Sequence, residues 1–342
     1  MISLRHRRCL ALAAASFAWL GSGAAQADVN LYTTREPGLV KPLIEDFTKQ
    51  TGIKVNTVFM NEGLAERVAA EGEKSPADLL MAVDVGNLVD FVDRGVTQPI
   101  KSDIVDKAVP ANLRDAQGHW FALSMRARVV YAAKDRTQLE AVTYEELSDP
   151  KWKGKVCIRS GQHPYNTALI AALIAKHGEA KAEDWLRGVK ANLARKASGG
   201  DREVARDILG DLCDIGVGNS YYVGLMRSGK GGPDQQKWGE AIKVLLPSFQ
   251  GGGTHVNISG AALAKHAPNR ADAVKFAEYL LSDAAQQLYA HAVFEYPIKG
   301  EVAPDAIIAS LGPLKVDPMP LAEIVTHRKA ASRLAEKVGF DN

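Results

Sequence analysis

The spacing of apolar residues alternates along the chain between a strand-like and a helix-like pattern. Short apolar runs typical of strands occur at residues 29–32, 53–59 and 78–83. The segment after the first run instead carries apolar residues at helical spacing and ends near Thr51 and Gly52. Strands that alternate with helices predict an α/β sheet rich in parallel pairs, and such sheets bind ligands at the carboxyl ends of their strands.

A long β-prone run lies near the middle of the chain. Residues 121–132 contain neither glycine nor proline, and we predict that they cross from a first lobe into a second. Consecutive glycines at residues 251–253 mark the expected return crossing. The chain after residue 27 is long enough for two lobes. We expect the first lobe to contain residues 28–126 and 252–296, and the second to contain residues 127–251 and 297–342.

The first 27 residues have the three parts of a secretory signal peptide. A basic start at residues 5–8 precedes an apolar core at residues 10–20, and small residues follow up to Ala27. The core is too short for a stable membrane anchor, and no small-residue lipoprotein motif precedes Cys9. We therefore predict export to the periplasm, with cleavage near Ala27. No later apolar run is long enough to cross a membrane.

Charge and motifs argue against several classes of function. The net charge is +2 and the Lys and Arg residues are scattered, which argues against nucleic acid as a partner. The eight histidines form no HxH or HExxH motif and the chain has no CxxC, so a zinc or copper site has little support. Nucleophile-elbow, phosphate-loop and dinucleotide motifs are also missing. The sequence therefore predicts a protein that is not an enzyme.

Two cysteines remain after the predicted signal peptide. Cys157 and Cys213 each lie in a predicted strand, at residues 156–158 and 212–214, just before a polar segment that contains glycine. In an oxidising compartment an even pair is more often a disulfide than two thiols. Such a bond would hold the loop after the first strand beside the loop after the second.

Three tyrosines follow these two strands. Tyr221 and Tyr222 come directly after Gly218 and Asn219, and Tyr165 lies in the loop after the strand of Cys157. Adjacent side chains diverge on a strand and along a helix, so the paired phenols can converge only from a turn or a first helical turn. The simpler alternative is a pair of half-buried aromatic residues. If the disulfide forms, all three phenols can meet, and three phenolates would neutralise one ferric ion.

An anion beside the metal would need a cationic neighbour. Arg35, Arg126 and Arg128 lie in predicted loops or in the crossover, and each is an available partner. The alternative for each arginine is an ordinary ion pair at the surface or at the hinge.

Three further polar residues lie near the predicted site. His163 could support Tyr165 from a second layer, although a loop histidine is more often solvated. Glu36, in the first-lobe loop, is a weaker candidate ligand. Asp84, at a strand end, is expected to cap the following helix rather than bind a ligand. The helix after the Tyr165 loop is expected to be capped by Asn166 or Thr167.

Several stretches of the chain resemble one known family. The chain is similar to the periplasmic ferric-iron-binding proteins that serve ABC importers, the FbpA/Fut-like class. The pairs Gly218-Asn219 and Tyr221-Tyr222, with Tyr165-Asn166 upstream, are specific to that class. The resemblance spans nearly the whole mature chain, at residues 31–35, 75–78, 83–88, 124–131, 159–166, 218–222, 259–262 and 295–297.

The resemblance implies a two-lobed α/β fold of the periplasmic-binding-protein type. The lobes would carry mixed sheets with helices on both faces, would be joined by crossover strands, and would close over the iron. It also implies that Tyr165, Tyr221 and Tyr222 are metal ligands of Fe(3+). The expected partners are an inner-membrane permease and its ATPase, and we expect a monomer.

The first-lobe loop departs from the family pattern. Many relatives carry an Arg-His-Tyr type run where this chain has Arg35-Glu36-Pro37. We therefore expect carbonate or a similar small anion, held by Arg35 or Arg126, or else water, to complete the site. The alternative hypothesis is a receptor of the same fold for an organic or phosphorylated anionic solute, with these arginines and the tyrosines as its clamp.

Overall fold

The computed structural model describes residues 28–342, so the predicted signal peptide, its cleavage near Ala27 and Cys9 lie outside the described residues. The described residues form ten strands and fourteen α-helices, with four short 3-10 helices at Gly72–Lys74, Ala111–Leu113, Glu145–Ser148 and Pro150–Trp152. The strands are β1 Val29–Thr33, β2 Val55–Phe59, β3 Leu79–Ala82, β4 Thr97–Gln98, β5 Phe121–Ala133, β6 Val156–Cys157, β7 Ile215–Asn219, β8 Ile242–Leu245, β9 Val256–Ala264 and β10 Tyr296–Pro297. The helices are α1 Pro37–Thr51, α2 Leu64–Glu71, α3 Val85–Asp93, α4 Asp103–Ala108, α5 Pro164–His177, α6 Glu179–Ala191, α7 Asp201–Leu209, α8 Ser220–Arg227, α9 Pro233–Ala241, α10 Arg270–Tyr279, α11 Asp283–Val293, α12 Ala306–Ala309, α13 Leu321–Thr326 and α14 Arg328–Val338.

The first sheet contains both parallel and antiparallel pairs. Strand β1 pairs in parallel with β2 and with β3, as the alternation of strands and helices predicts. Strand β9 pairs antiparallel with three strands: β3, β4 and the first half of β5. Strand β10 also pairs antiparallel with β5. The sheet is therefore mixed.

Strand β5 carries the chain from the first sheet into a second one. Its residues up to Ala127 pair with β9, whereas those from Arg128 onward pair with β7 and β8. Strand β6 extends the second sheet through a parallel pair with β7. All thirteen residues of β5 are buried, because both of its faces are covered. The β-prone run at residues 121–132 is thus a single strand that links two sheets.

Local signals in the sequence explain where several helices begin and end. Helix α1 stops at Thr51, and Gly52 takes the left-handed conformation that terminates it (φ 77°). The side chain of Asp84 accepts a hydrogen bond from the amide of Gly86, which confirms its predicted role as the cap of α3. No helix among residues 28–342 is long and apolar enough to cross a membrane.

Two details of the second lobe differ from the sequence-based prediction. Cys213 does not lie in a strand, because β7 begins only at Ile215. The other difference is helix α9, a largely polar segment that the apolar pattern did not predict.

Helices α13 and α14, near the carboxyl end, pack on α5, and α13 also touches α3 of the first lobe. The segment after β10 therefore packs mainly on helix α5 of the second lobe, and it also contacts the first lobe through α3. Helix α8 packs against α9 and α12 in the same half.

Candidate metal centre

All three candidate tyrosines lie in the first turn of a helix. Tyr165 is the second residue of α5, and Tyr221 and Tyr222 are the second and third residues of α8. Pro164 favours the start of α5 because proline fits the first helical position, where no amide hydrogen bond is needed. Side chains lean toward the amino end of a helix, so phenols in the first turn point past it.

The structure brings the three phenols together. The hydroxyl oxygens of Tyr165 and Tyr221 are 3.3 Å apart. The rings of Tyr221 and Tyr222 lie with their centroids 4.1 Å apart and their planes tilted by 34°. All three side chains are half-buried and line one cavity of about 540 Å³. The first-turn geometry expected for the paired tyrosines is therefore present.

Burial favours the protonated form of Tyr221 and Tyr222 in the absence of a cation. Burial raises the pKa of Tyr221 well above its ordinary value, and the neighbouring Tyr165 and Tyr222 raise it further. Burial also raises the pKa of Tyr222, and the neighbouring Tyr165 and Asp201 raise it further. A strongly charged metal ion would reverse this preference, because it stabilises the phenolate directly.

The disulfide holds the two tyrosine-bearing segments beside each other. Cys157 and Cys213 are bonded, with their Cα atoms 5.8 Å apart, which confirms the predicted pairing. Strand β6 runs parallel to β7, with Cys157 opposite Gly216. Because parallel strands end at the same edge of a sheet, the loop before α5 and the start of α8 are neighbours.

The start of α5 corrects one detail of the sequence-based prediction. The cap of this helix is His163, whose Nδ1 accepts from the amide of Tyr165; neither Asn166 nor Thr167 caps it. Burial, and then the nearby charge of Arg159, lower the pKa of His163 to about 4. His163 is thus a neutral cap that fixes the backbone of Tyr165.

Arg128 forms hydrogen bonds with residues at the starts of three helices near the tyrosines. Its guanidinium donates to Asp201 at 2.6 Å, to Asn219 at 3.0 Å and to Asn166 at 2.6 Å. Those residues begin α7, cap α8 and belong to the first turn of α5. Asp201 also accepts from the amide of Asn219 at 2.8 Å. Arg128, one of the three candidate anion holders, is thus occupied by a buried structural network.

The other two candidate arginines share one buried carboxylate in the first lobe. Arg35 donates to Glu295 at 2.8 Å and also contacts Ser259. Arg126 lies 3.9 Å from the same carboxylate and donates to Ser259 at 3.3 Å. Burial alone would raise the pKa of Glu295, but the charges of Arg35 and Arg126 outweigh it and hold that pKa below its usual range.

Arg35 lines the cavity, and the guanidinium carbon of Arg126 lies 5.4 Å from the ring centroid of Tyr165. Both candidate arginines therefore lie close to the phenols. Glu295 was missed as a site residue, since its chain position gives no hint of these partners.

The remaining cavity wall contains one exposed carboxylate and several cations. Glu36 lines the cavity and is exposed. Asp84 pairs with Arg328 of α14 at 2.9 Å across the cavity wall. The guanidinium carbon of Arg202 lies 5.7 Å from the ring centroid of Tyr222. Across residues 28–342 there is no group of three or more His, Cys, Asp and Glu side chains that could hold a metal.

Comparison with known proteins gives consistent matches along most of the chain. Residues 74–309 match the protein family described as "Bacterial extracellular solute-binding protein". The "Iron uptake protein A1" of Synechocystis sp. is 38% identical over 317 residues, which cover 92% of this chain and 88% of that protein.

Two solved structures share the fold of this chain. The "Bordetella ferric binding protein" has a TM-score of 0.90 and 64% identity, covering 92% of this chain and all of that one (100%). A Trichodesmium protein (IdiA, FutA), whose structure is described as "in complex with iron and citrate ligands", has a TM-score of 0.88 and 38% identity, covering 92% and 100% of the two chains. These matches confirm the predicted fold class, a two-lobed α/β protein.

Proposed function

The chain belongs to the family of bacterial extracellular solute-binding proteins, and on that premise we propose that it captures ferric iron between its lobes and delivers the metal to an ABC importer. The observation that carries the proposal is the meeting of Tyr165, Tyr221 and Tyr222 at one wall of the cavity. Two proteins similar to this chain are named for iron uptake and ferric binding, and a third is described with iron bound.

The charges near the phenols suit a ferric ion. Three phenolates carry three negative charges and balance Fe(3+), which as a hard cation favours oxygen donors. The amino ends of α5 and α8 face the same region, and a helix amino end stabilises negative charge on its first-turn side chains. Iron uptake then releases the phenol protons, so binding and proton loss are coupled.

Among the described residues that line the cavity, those of the first lobe include Arg35 but no tyrosine or histidine. We propose that Arg35 or Arg126 holds carbonate or another small anion beside the metal, with water as the alternative and Glu36 as the weaker third option. The cavity of about 540 Å³ leaves room for an anion beside a metal ion. The iron and citrate described for the Trichodesmium protein are a precedent for the combination.

The location and partners follow from the same proposal. The protein would act in the periplasm after cleavage near Ala27, as a monomer and without enzymatic activity, and would dock on an inner-membrane permease whose ATPase drives import. The proposed lobe boundaries follow residues 126, 251 and 296. Support for the first boundary comes from β5, whose pairing changes between Ala127 and Arg128.

A spectroscopic titration tests the metal assignment. Ferric salt added to the purified protein should produce a visible phenolate-to-iron charge-transfer band, and its apparent affinity should fall as the pH is lowered because protons compete for the phenolates. The double variant Tyr221→Phe/Tyr222→Phe should lose the band. Tyr279→Phe is the matched control, since its hydroxyl bonds to Asp46, away from the cavity. A band that persists undiminished in the double variant would refute the ligand assignment.

One observation favours a second candidate, a receptor for an organic or phosphorylated anion. Arg202 lines the cavity and forms no ion pair within residues 28–342, so a cation is available to a larger anionic solute. Calorimetry that finds a tight organic anion and no response to iron would favour this alternative.

A further inference from the structure

Glu295 is a fully buried carboxylate that no ligand assignment uses. It is 1% exposed and lies between α11 and β10, where the chain passes behind the cleft. Its oxygens accept from Arg35 at 2.8 Å and from Ser259 at 3.0 Å, and also from Ser124. A buried charge is tolerated only when it is paired and hydrogen-bonded, and Glu295 meets both conditions.

One carboxylate serves two guanidiniums in this cluster. Arg35 and Arg126 are 6% and 1% exposed, and Glu295 is the carboxylate that pairs with both. The cluster therefore carries one net positive charge behind the phenols. The Nε atoms of both arginines have no hydrogen-bond partner among the described residues, so each guanidinium keeps an unused donor.

The segment that carries Glu295 is fixed from both sides. Phe294 adopts a left-handed backbone conformation (φ 57°) at the end of α11, and its ring fills the space where a side chain at Gly224 of α8 would lie. The next residue, Tyr296, pairs with Met125 of β5. Glu295 is thus held against the arginines by contacts with the tyrosine-bearing helix and with the crossover strand.

We propose that Glu295 is a positioning residue, which fixes the guanidiniums of Arg35 and Arg126 and limits their combined charge to +1, so that they accept one small anion beside the metal. This inference rests on the proposed function. Ferric iron with three phenolates is neutral, and the cluster then balances a singly charged anion such as hydrogencarbonate.

Anion-dependent iron loading tests the role of Glu295. Ferrous chloride is oxidised by carbon-dioxide-free oxygen in purged buffer that contains the protein, and hydrogencarbonate is then titrated while the phenolate-to-iron band is recorded. In the wild-type protein we expect the band to strengthen or shift with hydrogencarbonate. In Glu295→Gln the half-saturating concentration should fall by roughly tenfold, because the cluster gains one net positive charge while the amide oxygen of the new side chain can still accept from Arg35. The band at saturating anion should remain, because the phenols are untouched.

A second variant separates charge from geometry. Glu295→Asp keeps the charge but withdraws the carboxylate by one methylene, so it should instead raise the half-saturating concentration, and it covers the case in which Glu295→Gln does not fold. Glu278→Gln is the control, since that carboxylate accepts from Ser102 outside the cavity. Circular dichroism verifies that each variant is folded.

The outcomes distinguish the inference from the proposed function. Absence of a band in the wild-type protein would refute iron binding by phenolates itself. A wild-type band together with half-saturation unchanged in the folded Glu295 variants would refute the positioning role alone. Loss of the band in those variants at every anion concentration would also refute it, because it would place Glu295 in the support of the phenols.

Discussion

Removing the disulfide between Cys157 and Cys213 should both destabilise the second lobe and loosen the phenol cluster. The bond joins strand β6, which makes only two residue pairs with β7, to the segment just before β7. Both cysteines are buried, at 0% and 2% exposure. Their replacement by alanine therefore changes few polar interactions and mainly removes the covalent link. The double variant Cys157→Ala/Cys213→Ala is therefore the appropriate perturbation.

The separation of the two cysteines sets the size of the effect. They are 56 residues apart in sequence. The loss of loop-closure entropy in the unfolded chain for a loop of this size corresponds to about 4 kcal/mol. The free energy of unfolding of the second lobe should fall by about that amount.

Urea denaturation of the two proteins measures this loss. The midpoint should move to lower urea in the variant and the slope should rise somewhat, since an unfolded chain without the cross-link is less compact and exposes more surface. Iron titration on the folded variant should show weaker binding, because Tyr165 is no longer held beside Tyr221. The wild-type protein unfolded with and without a reducing agent is the matched control. A loss below about 1 kcal/mol, or unchanged iron affinity, would show that the sheet alone holds the two segments together.

Three further predictions concern the support of the site. Gly218→Ala should cost about 1–3 kcal/mol by overpacking, since the new methyl group would overlap the buried ring of Tyr131; a urea midpoint equal to that of the wild type would contradict it. Arg128→Met should cost about 3 kcal/mol, because Asp201 would lose its shorter ion pair and keep only the longer one to Arg159, at 3.3 Å, and the double variant with Asp201→Asn should recover part of that loss in the same assay. Burial and Arg159 hold the pKa of His163 at about 4, so the unfolded chain binds the proton first and stability should fall as the pH drops from about 6.5 to about 4. His163→Asn, which can still cap the helix, should make thermal stability less dependent on pH in that window, and an unchanged dependence would exclude His163 as its source.

Local features of the fold were predictable from the sequence because their causes are local. The end of α1 at Gly52 and the cap at Asp84 each depend on residues within a few positions. The crossover strand was also predictable, since a β-prone run without glycine or proline admits few other structures. The start of α5 was misassigned because three capping residues stand close together there, and only the structure shows that the imidazole of His163 accepts the amide hydrogen bond.

Features that depend on distant partners were not predictable from the sequence. Arg35 and Glu295 are 260 positions apart, and no spacing rule joins them. Arg128 contacts residues at the starts of three different helices, so its role is visible only in the folded structure, where these helix starts lie together. The convergence of Tyr165 with the paired tyrosines was an exception, because the cysteine pair supplied a long-range link that the sequence itself contains.

The first-lobe loop explains why the site should need an anion. Pro37 starts α1, so the chain turns at Glu36 and leaves this carboxylate exposed at the cavity rim, while Arg35 turns inward to Glu295. The first lobe thus presents a buried cationic cluster where a metal ligand would be needed. A bare ferric ion with three phenolates is neutral and gains nothing from that cluster, whereas an anion bound to the metal is attracted by it. Closure of the lobes over the metal should therefore be more favourable when an anion bridges the ferric ion and the arginines than when water completes the site.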